Sequence, residues 1–108
     1  MILTFTPMRS DSDITLVRKG DSLQINGKTY DFADLPEGAV LPRAAVACPE
    51  LMSDVTREGG LIALTLILPH GANPPSERAY PAPLTLRRNG PVALPPFDMP
   101  TPETADEH

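Results

Sequence analysis

The sequence of 108 residues has no tryptophan, one cysteine and few aromatic residues, namely three Phe and two Tyr. A core built from these residues must rely on Leu, Ile and Val, and a chain of this length has room for one such core. With Cys48 as the only cysteine, an intramolecular disulfide and a cysteine-based zinc site are excluded.

Long hydrophobic runs are also absent. The longest, Leu61–Leu68, is far shorter than the roughly 20 residues that a membrane-spanning helix needs. The N-terminal apolar stretch meets Arg9 and Asp11 too early for a secretory signal. We therefore expect a soluble protein of a reducing cytoplasm that is not secreted by a signal peptide and has no membrane partner.

The net charge is −5, with a pI of about 4.8, which argues against nucleic acid as a partner because phosphate binding depends on Lys and Arg. Residues 98–108 contain four acidic residues and no Lys or Arg, so residues 1–97 hold 10 acidic and 9 basic residues. We predict one domain over residues 1–97, followed by an acidic, flexible tail over residues 98–108.

Two tight turns predict a three-stranded meander near the N-terminus. Gly20-Asp21, which separates Ile14–Lys19 from Ser22–Asn26, suits a type II′ turn, and Asn26-Gly27 before Lys28–Phe32 suits type I′. Two-residue turns fix the register, and both turns place the same apolar residues on one face. The expected pairs are Leu16 with Ile25, Arg18 with Leu23, Leu23 with Tyr30 and Ile25 with Lys28, with Ile14 and Phe32 extending the apolar face.

A second hairpin is predicted at Leu51–Glu58 and Leu61–Leu68, joined by Gly59-Gly60. The second segment is apolar on both faces, which favours a central strand covered on two sides. A buried helix of the same length is the alternative, but the glycine pair and Pro69 favour the strand.

The remaining segments are rich in proline. We predict a third, edge hairpin at Leu84–Arg88 and Pro91–Leu94 around Asn89-Gly90, a further strand in Met1–Thr6, and one short helix in Pro42–Cys48. The predicted fold is all-β and mainly antiparallel: a small meander or sandwich-like sheet of hairpins with proline-rich loops and at most one short helix.

No phosphate loop, dinucleotide fingerprint, HExxH or serine-elbow motif is present. Asp11 and Asp13 resemble the start of a calcium loop without its glycine and glutamate, so we interpret them as an exposed turn. His70 is interpreted as a loop histidine beside turn residues Gly71 and Asn73, and Cys48 as a small buried hydrophobe. A Cys48–His70 pair stays open. No catalytic, cofactor-binding or metal-binding residue is predicted.

An interaction surface is the remaining candidate. Extended proline-rich segments such as Asn73–Pro83 lose little entropy on docking, and Tyr80 is their obvious anchor. The candidate interaction residues are His70, Asn73, Arg78 and Tyr80. Exposed sheet edges offer a second route to a partner. The alternative for the proline-rich segment is a surface loop laid across its own domain.

The run Leu66–Asn73 (LILPHGAN), with Tyr80–Pro83 (YPAP) and Gly90–Pro95 (GPVALP), resembles a group of small proteins encoded in bacteriophage and prophage tail regions. The opening hairpins are similar as well, so that the likeness covers roughly residues 14–97. It implies a non-enzymatic phage tail, fibre or assembly protein, located in the virion or the host cytoplasm. Its partners would be other phage structural or assembly proteins, or a second copy of itself. The alternatives are a small cytoplasmic regulatory or ligand-binding module and, from a further class, a hydrolase or thiol enzyme using His70.

Overall fold

The structure, a computed structural model, describes residues 1–98. The predicted acidic tail lies outside this range except for Asp98. The elements within it are β1 (Ile2–Arg9), β2 (Leu16–Lys19), β3 (Ser22–Ile25), β4 (Lys28–Asp31), β5 (Val40–Leu41), α1 (Arg43–Val46), β6 (Val55–Glu58), β7 (Leu61–His70), α2 (Ser76–Ala79), β8 (Leu84–Thr85) and β9 (Gly90–Pro91).

The strands form two sheets, which confirms the all-β, mainly antiparallel class. The first sheet has the order β5-β6-β7-β1-β8 and the second has the order β4-β3-β2-β9. The pairing of β1 with β7 is parallel, over Ile2–Arg9 and Ala63–His70, whereas the other strand pairs are antiparallel. The β1–β7 ladder is the longest in the described chain, and it lies in the middle of the first sheet.

The expectation of at most one short helix is wrong. Helix α1 lies within the predicted segment, but α2 is a second single-turn helix in the proline-rich region. Pro75 has an extended backbone, with φ −65° and ψ 160°, directly before the helical residues. Proline is compatible with the start of a helix, because the N–H group it lacks would have no intrahelical partner there.

The N-terminal meander has the predicted register. Leu16 lies opposite Ile25, and Leu23 lies between Arg18 and Tyr30. Asn26 and Gly27 both have positive φ angles, 50° and 86°, as a type I′ turn requires. The predicted apolar face is buried, with Ile14, Leu16, Leu23, Ile25, Tyr30 and Phe32 each at most 8% exposed.

The second hairpin is confirmed at its Gly59-Gly60 turn, but β6 begins at Val55 and not at Leu51, and β7 continues beyond Leu68 to His70. Strand β7 is central, but its two faces differ from the prediction: one is buried and the other is only partly covered. The Glu37 carboxylate supports the turn, since its two oxygens accept hydrogen bonds from the Gly59 and Gly60 N–H groups at 2.7 and 2.8 Å. Glu37 therefore ties the β4–β5 connection to the β6–β7 turn.

The predicted third hairpin is wrong, because its two segments belong to different sheets. Strand β8 pairs with β1, whereas β9 pairs with β2. Asn89 does not form a hairpin turn; its side-chain oxygen accepts a hydrogen bond from the Gly20 N–H at 2.8 Å. Leu86 exchanges backbone hydrogen bonds with Met1. The chain consequently crosses from the first sheet to the second between β8 and β9, and both are edge strands as predicted.

The outer edge of β1 is poorly suited to pairing with a further strand. The Ser10 N–H bonds the His70 carbonyl, so the even-numbered backbone groups of β1 face β7 and the odd-numbered groups face outward. Strand β8 covers only the first part of this outer edge. Pro7 occupies an outward-facing position and has no N–H group, which blunts the uncovered part of the edge.

Both sheets contribute side chains to one apolar core. Arg57 of β6 connects them at the margin of this core: its Nε donates to the Leu35 carbonyl at 2.6 Å and its Nη2 donates to the Asp21 carboxylate at 2.8 Å. The core comprises Met1, Leu3 and Phe5 of the N-terminal segment, Ile14, Leu16, Leu23, Ile25, Tyr30 and Phe32 of the meander, and Cys48, Leu51, Val55, Ile62, Leu64, Leu66 and Leu68.

Replacing the turn-supporting carboxylate in Glu37→Ala should lower the free energy of unfolding by about 1 kcal/mol, because two turn N–H groups lose a charged acceptor. The matched control is Asp34→Ala, which removes an exposed carboxylate three residues earlier and should change stability by less than about 0.5 kcal/mol. Urea denaturation measures both. Equal losses in the two variants would contradict the role assigned to Glu37.

Candidate interaction surface

The candidate surface is the α2 loop, which we define as residues 71–83 between β7 and β8. Two backbone bonds tie its beginning to the C-terminal part of the described chain. The Gly71 N–H donates to the Phe97 carbonyl at 3.1 Å, and the Asn73 N–H donates to the Asp98 carboxylate at 2.8 Å. Asp98, which we predicted to begin the flexible tail, thus has a defined contact with the domain.

Gly71 has a packing role that the sequence did not reveal. Its φ is not in the left-handed region, so the interpretation of Gly71 as a residue supplying a special turn conformation is wrong. A Cβ atom at this position would overlap the Asp98 carboxylate. Glycine is therefore needed here because another side chain occupies the space, not because of its backbone freedom.

The buried side chain of Arg78 holds the helical part of the α2 loop against the domain. Its side chain is 1% exposed, and its guanidinium donates through three different nitrogens. Nε donates to the Pro69 carbonyl at 2.7 Å, Nη1 to the Pro95 carbonyl at 2.6 Å and Nη2 to the Asp13 carboxylate at 2.5 Å. The ring of Phe97 lies 5.6 Å from the guanidinium carbon. We call these contacts the Arg78 network.

The placement of Arg78 corrects its prediction as an interaction residue. We predicted that Arg78 contacts a partner at the surface. Its planar guanidinium instead donates hydrogen bonds to backbone carbonyls of two other segments. A side chain this deeply buried is inaccessible to a partner. The pairing of Arg78 with Asp13 could not be predicted from the sequence, because the two residues are separated by 64 intervening residues and belong to no motif.

Tyr80, in contrast, is displayed outward. Its side chain is 84% exposed, while its own N–H donates to the Ser76 carbonyl at 2.8 Å and ends α2. The ring therefore extends into solvent from a backbone that the helix and the Arg78 network hold in place. Beside it lies an apolar cavity of about 140 Å³, lined by Phe5, Leu68, Glu77, Pro81, Ala82, Leu84 and Pro95.

His70 is the last residue of β7, opposite Arg9, so its interpretation as a loop histidine is wrong, whereas Asn73 lies in the α2 loop that follows. The His70 ring is half-buried, and its Nδ1 lies 2.9 Å from the Gly71 carbonyl oxygen. The Asn73 side chain is exposed. The structure thus places Asn73 and Tyr80 on the α2 loop and His70 at the end of the preceding strand, and it removes Arg78 from the surface.

Cys48 has the environment of a structural thiol. It is buried, with its Sγ 3.5 Å from a Glu50 carboxylate oxygen, and burial raises the pKa of the thiol. Burial and a hydrogen bond to Cys48 raise the pKa of Tyr30 to about 12. A nucleophilic cysteine needs the opposite shift, because the thiolate is the reactive form. The Tyr30–Cys48–Glu50 contacts were not visible in the sequence, in which the three residues share no motif.

The two carboxylates that line one surface cleft already have hydrogen-bond partners. A cleft of about 210 Å³ contains Asp13 and Glu50, but Asp13 binds Arg78 and Glu50 accepts a hydrogen bond from the Asn26 side chain at 3.3 Å. Over residues 1–98, no group of three His, Cys, Asp or Glu side chains is arranged to hold a metal ion. In the same range no helix is long and apolar enough to cross a membrane.

No protein-family model, curated protein or solved structure matches the chain. The likeness to phage tail-region proteins is therefore carried by the motifs of the sequence alone.

Breaking the Arg78 network should destabilise the protein strongly. Arg78→Met leaves two carbonyls without a donor and Asp13 without its partner, and we expect a loss of about 2–4 kcal/mol. Arg78→Lys should recover only part of this loss, because an ammonium group lacks the planar fork. Arg88→Met, on an exposed side chain, is the control. Chemical denaturation provides the readout, and an Arg78→Met variant as stable as the wild type would refute the assigned role.

The raised pKa values predict a loss of stability at alkaline pH. The ordinary pKa values are 9.0 for cysteine and 10.0 for tyrosine, and both Cys48 and Tyr30 have a higher pKa in the folded state. Their contribution is complete below the unfolded values and is lost as the pH rises through the folded ones. Stability should fall between about pH 9 and pH 12, and Tyr30→Phe should flatten this decline. Tyr80→Phe is the control, and denaturation curves across the range would show whether the two variants differ.

Proposed function

We propose that this chain is a non-enzymatic structural or assembly protein of a phage tail, which binds a neighbouring protein through the α2 loop with Tyr80 as the anchor. The observation that carries the proposal is the difference in exposure between two nearby side chains. Arg78 in α2 is 1% exposed, whereas Tyr80, directly after α2, is 84% exposed. The phage context comes from the LILPHGAN, YPAP and GPVALP motifs.

A fixed loop with an exposed aromatic side chain is well suited to protein binding. Tyrosine offers a large contact area with few rotatable bonds, and its hydroxyl can hydrogen-bond at the rim of an interface. The Arg78 network orders the loop before a partner arrives, so less conformational entropy is lost on association. Pro81 next to Tyr80 restricts the backbone further.

A small regulatory or ligand-binding module is the second candidate, and the cavity next to the α2 loop offers it little support. The apolar cavity beside Tyr80 has a volume of about 140 Å³. Sites for cofactors and small organic ligands usually enclose about 300–1,000 Å³. A cavity of this size instead matches one apolar side chain of a protein partner.

The test uses a prophage or phage genome that encodes the chain. Deleting its gene should abolish the assembly of tailed particles, and supplying the wild-type gene in trans should restore it. Supplying Tyr80→Ala should restore particles at least about tenfold less efficiently, as expected for loss of an aromatic anchor worth 1.4 kcal/mol or more. Tyr80→Phe, which keeps the ring, is the matched control and should restore assembly.

Stability must be compared in the same variants, so that a folding defect is not mistaken for a binding defect. Tyr80 is exposed, and Tyr80→Ala should change the free energy of unfolding by less than about 0.5 kcal/mol. Normal tailed particles in the absence of the gene would overturn the proposal and favour the regulatory module. Full complementation by Tyr80→Ala would overturn the role of the loop.

A further inference from the structure

A short irregular segment follows β9 and leads back to the α2 loop. Among the described residues, the last backbone bond between this segment and β2 joins the Val92 N–H to the Leu16 carbonyl at 2.9 Å. Pro95 and Pro96 lack an N–H group and cannot continue the ladder. We call residues 93–98 the C-terminal strap. Contacts other than strand pairing must therefore hold it on the domain.

One set of contacts joins the C-terminal strap to Arg78. The guanidinium donates through Nη1 to the Pro95 carbonyl at 2.6 Å, and its carbon atom lies 5.6 Å from the centre of the Phe97 ring. An aromatic face attracts a guanidinium more strongly when water is excluded, and Arg78 is buried. The C-terminal strap thus supplies an acceptor and an aromatic face to a buried cation, so that the placement of Arg78 depends on it.

A second set of contacts joins the C-terminal strap to the start of the α2 loop. The Gly71 N–H donates to the Phe97 carbonyl at 3.1 Å, and the Asn73 N–H donates to the Asp98 carboxylate at 2.8 Å. A Cβ atom at position 71 would overlap that carboxylate. The C-terminal strap is consequently bonded to the α2 loop both before the helical turn and within it.

The C-terminal strap also shapes the candidate interaction surface. Pro95 is part of the wall of the apolar cavity beside Tyr80, together with Phe5 and Leu68. On its other side, a cleft of about 320 Å³ lies between the C-terminal strap and residues 13–17, which lead into β2. Because of this cleft, the C-terminal strap can leave the domain without breaking a strand pair.

We infer that the C-terminal strap switches the α2 loop between two states. When the strap is seated, Arg78 is satisfied, α2 is ordered and Tyr80 stands beside a complete cavity. When it is released, Arg78 loses the Pro95 carbonyl and the cavity loses a wall, so that the α2 loop opens while both sheets stay folded. Segments with few tertiary bonds open in this way without global unfolding. The inference rests on the proposed role of the α2 loop and concerns the regulation of that surface.

Limited trypsin digestion of the full chain measures the released state. Trypsin takes an arginine side chain into its own pocket, so it can cut after Arg78 only when this buried side chain has left the domain. Arg57 lies in the first sheet and is bonded to Asp21, so cutting after Arg57 reports on opening of the sheets instead. Mass spectrometry of the earliest products gives both initial rates.

Phe97→Ala removes the ring that lies over the guanidinium. We expect initial cutting after Arg78 to become at least about tenfold faster, while cutting after Arg57 stays within about twofold of the wild type. The matched control is Phe97→Tyr, which keeps the ring and should cut as slowly as the wild type. An unchanged rate after Arg78 in Phe97→Ala would overturn the inference. Parallel increases at Arg78 and Arg57 would do so too, because they would mean that the sheets open together with the loop.

Variants at the second set of contacts test the same switch independently. Gly71→Ala forces the Asp98 carboxylate away from Asn73, and Asp98→Ala removes the carboxylate, so each should speed cutting after Arg78 at least about threefold. The double variant should be no faster than the faster single variant, since both changes act on one contact. Asp34→Ala, an exposed carboxylate between β4 and β5, is the control and should stay within about twofold. Unchanged rates in all three variants would overturn the inference, as would a double variant whose rate multiplies the two single effects.

The digestion results and the assembly results can fail separately. If Phe97→Ala leaves cutting after Arg78 unchanged while particle assembly still requires Tyr80, the switch is refuted and the proposed function stands. If Phe97→Ala speeds the cutting as expected while Tyr80→Ala complements fully, the switch is supported and the role of the α2 loop in assembly is refuted.

Discussion

The Arg78 guanidinium is the interaction on which the arrangement of the loops depends. A buried charge is costly unless it is paired and its hydrogen-bonding groups are satisfied. Here three nitrogens reach three separate segments: the end of β7, the approach to β2 and the C-terminal part of the described chain. Lysine cannot reproduce this geometry, since its donors diverge from one nitrogen. Because these bonds hold Arg78 in place, they also position the backbone of Tyr80, two residues later.

Arg57 performs the corresponding task near the other end of β7, opposite Ile62. Its guanidinium donates to the Leu35 carbonyl and to Asp21, so that it joins β6 of the first sheet to the meander of the second. Backbone carbonyls at the sheet margins need donors, and a long side chain with a forked end satisfies several of them at once.

Sequence patterns predicted those parts of the fold that are determined over short distances. Gly20-Asp21 and Asn26-Gly27 specify turns whose backbone angles fix the register of the flanking strands, and both registers are confirmed. Asn89-Gly90 has a similar pattern but forms no hairpin, because Met1 donates a hydrogen bond to Leu86 and Gly20 donates one to the Asn89 side chain. Those partners come from distant parts of the chain. Arg78 was misplaced on the surface for the same reason, since its burial depends on Asp13, Pro69 and Pro95 meeting in space.

The edges of both sheets are poorly suited to pairing with another sheet. Strands β5, β8 and β9 are only two residues long, and Pro7 removes a donor from the outer edge of β1. Strand β4 is longer but carries Lys28 and Asp31, whose charges disfavour continuous pairing with another sheet. The edges of both sheets are therefore protected by short strands, by charges and by a proline, so that uncontrolled pairing with another sheet is disfavoured.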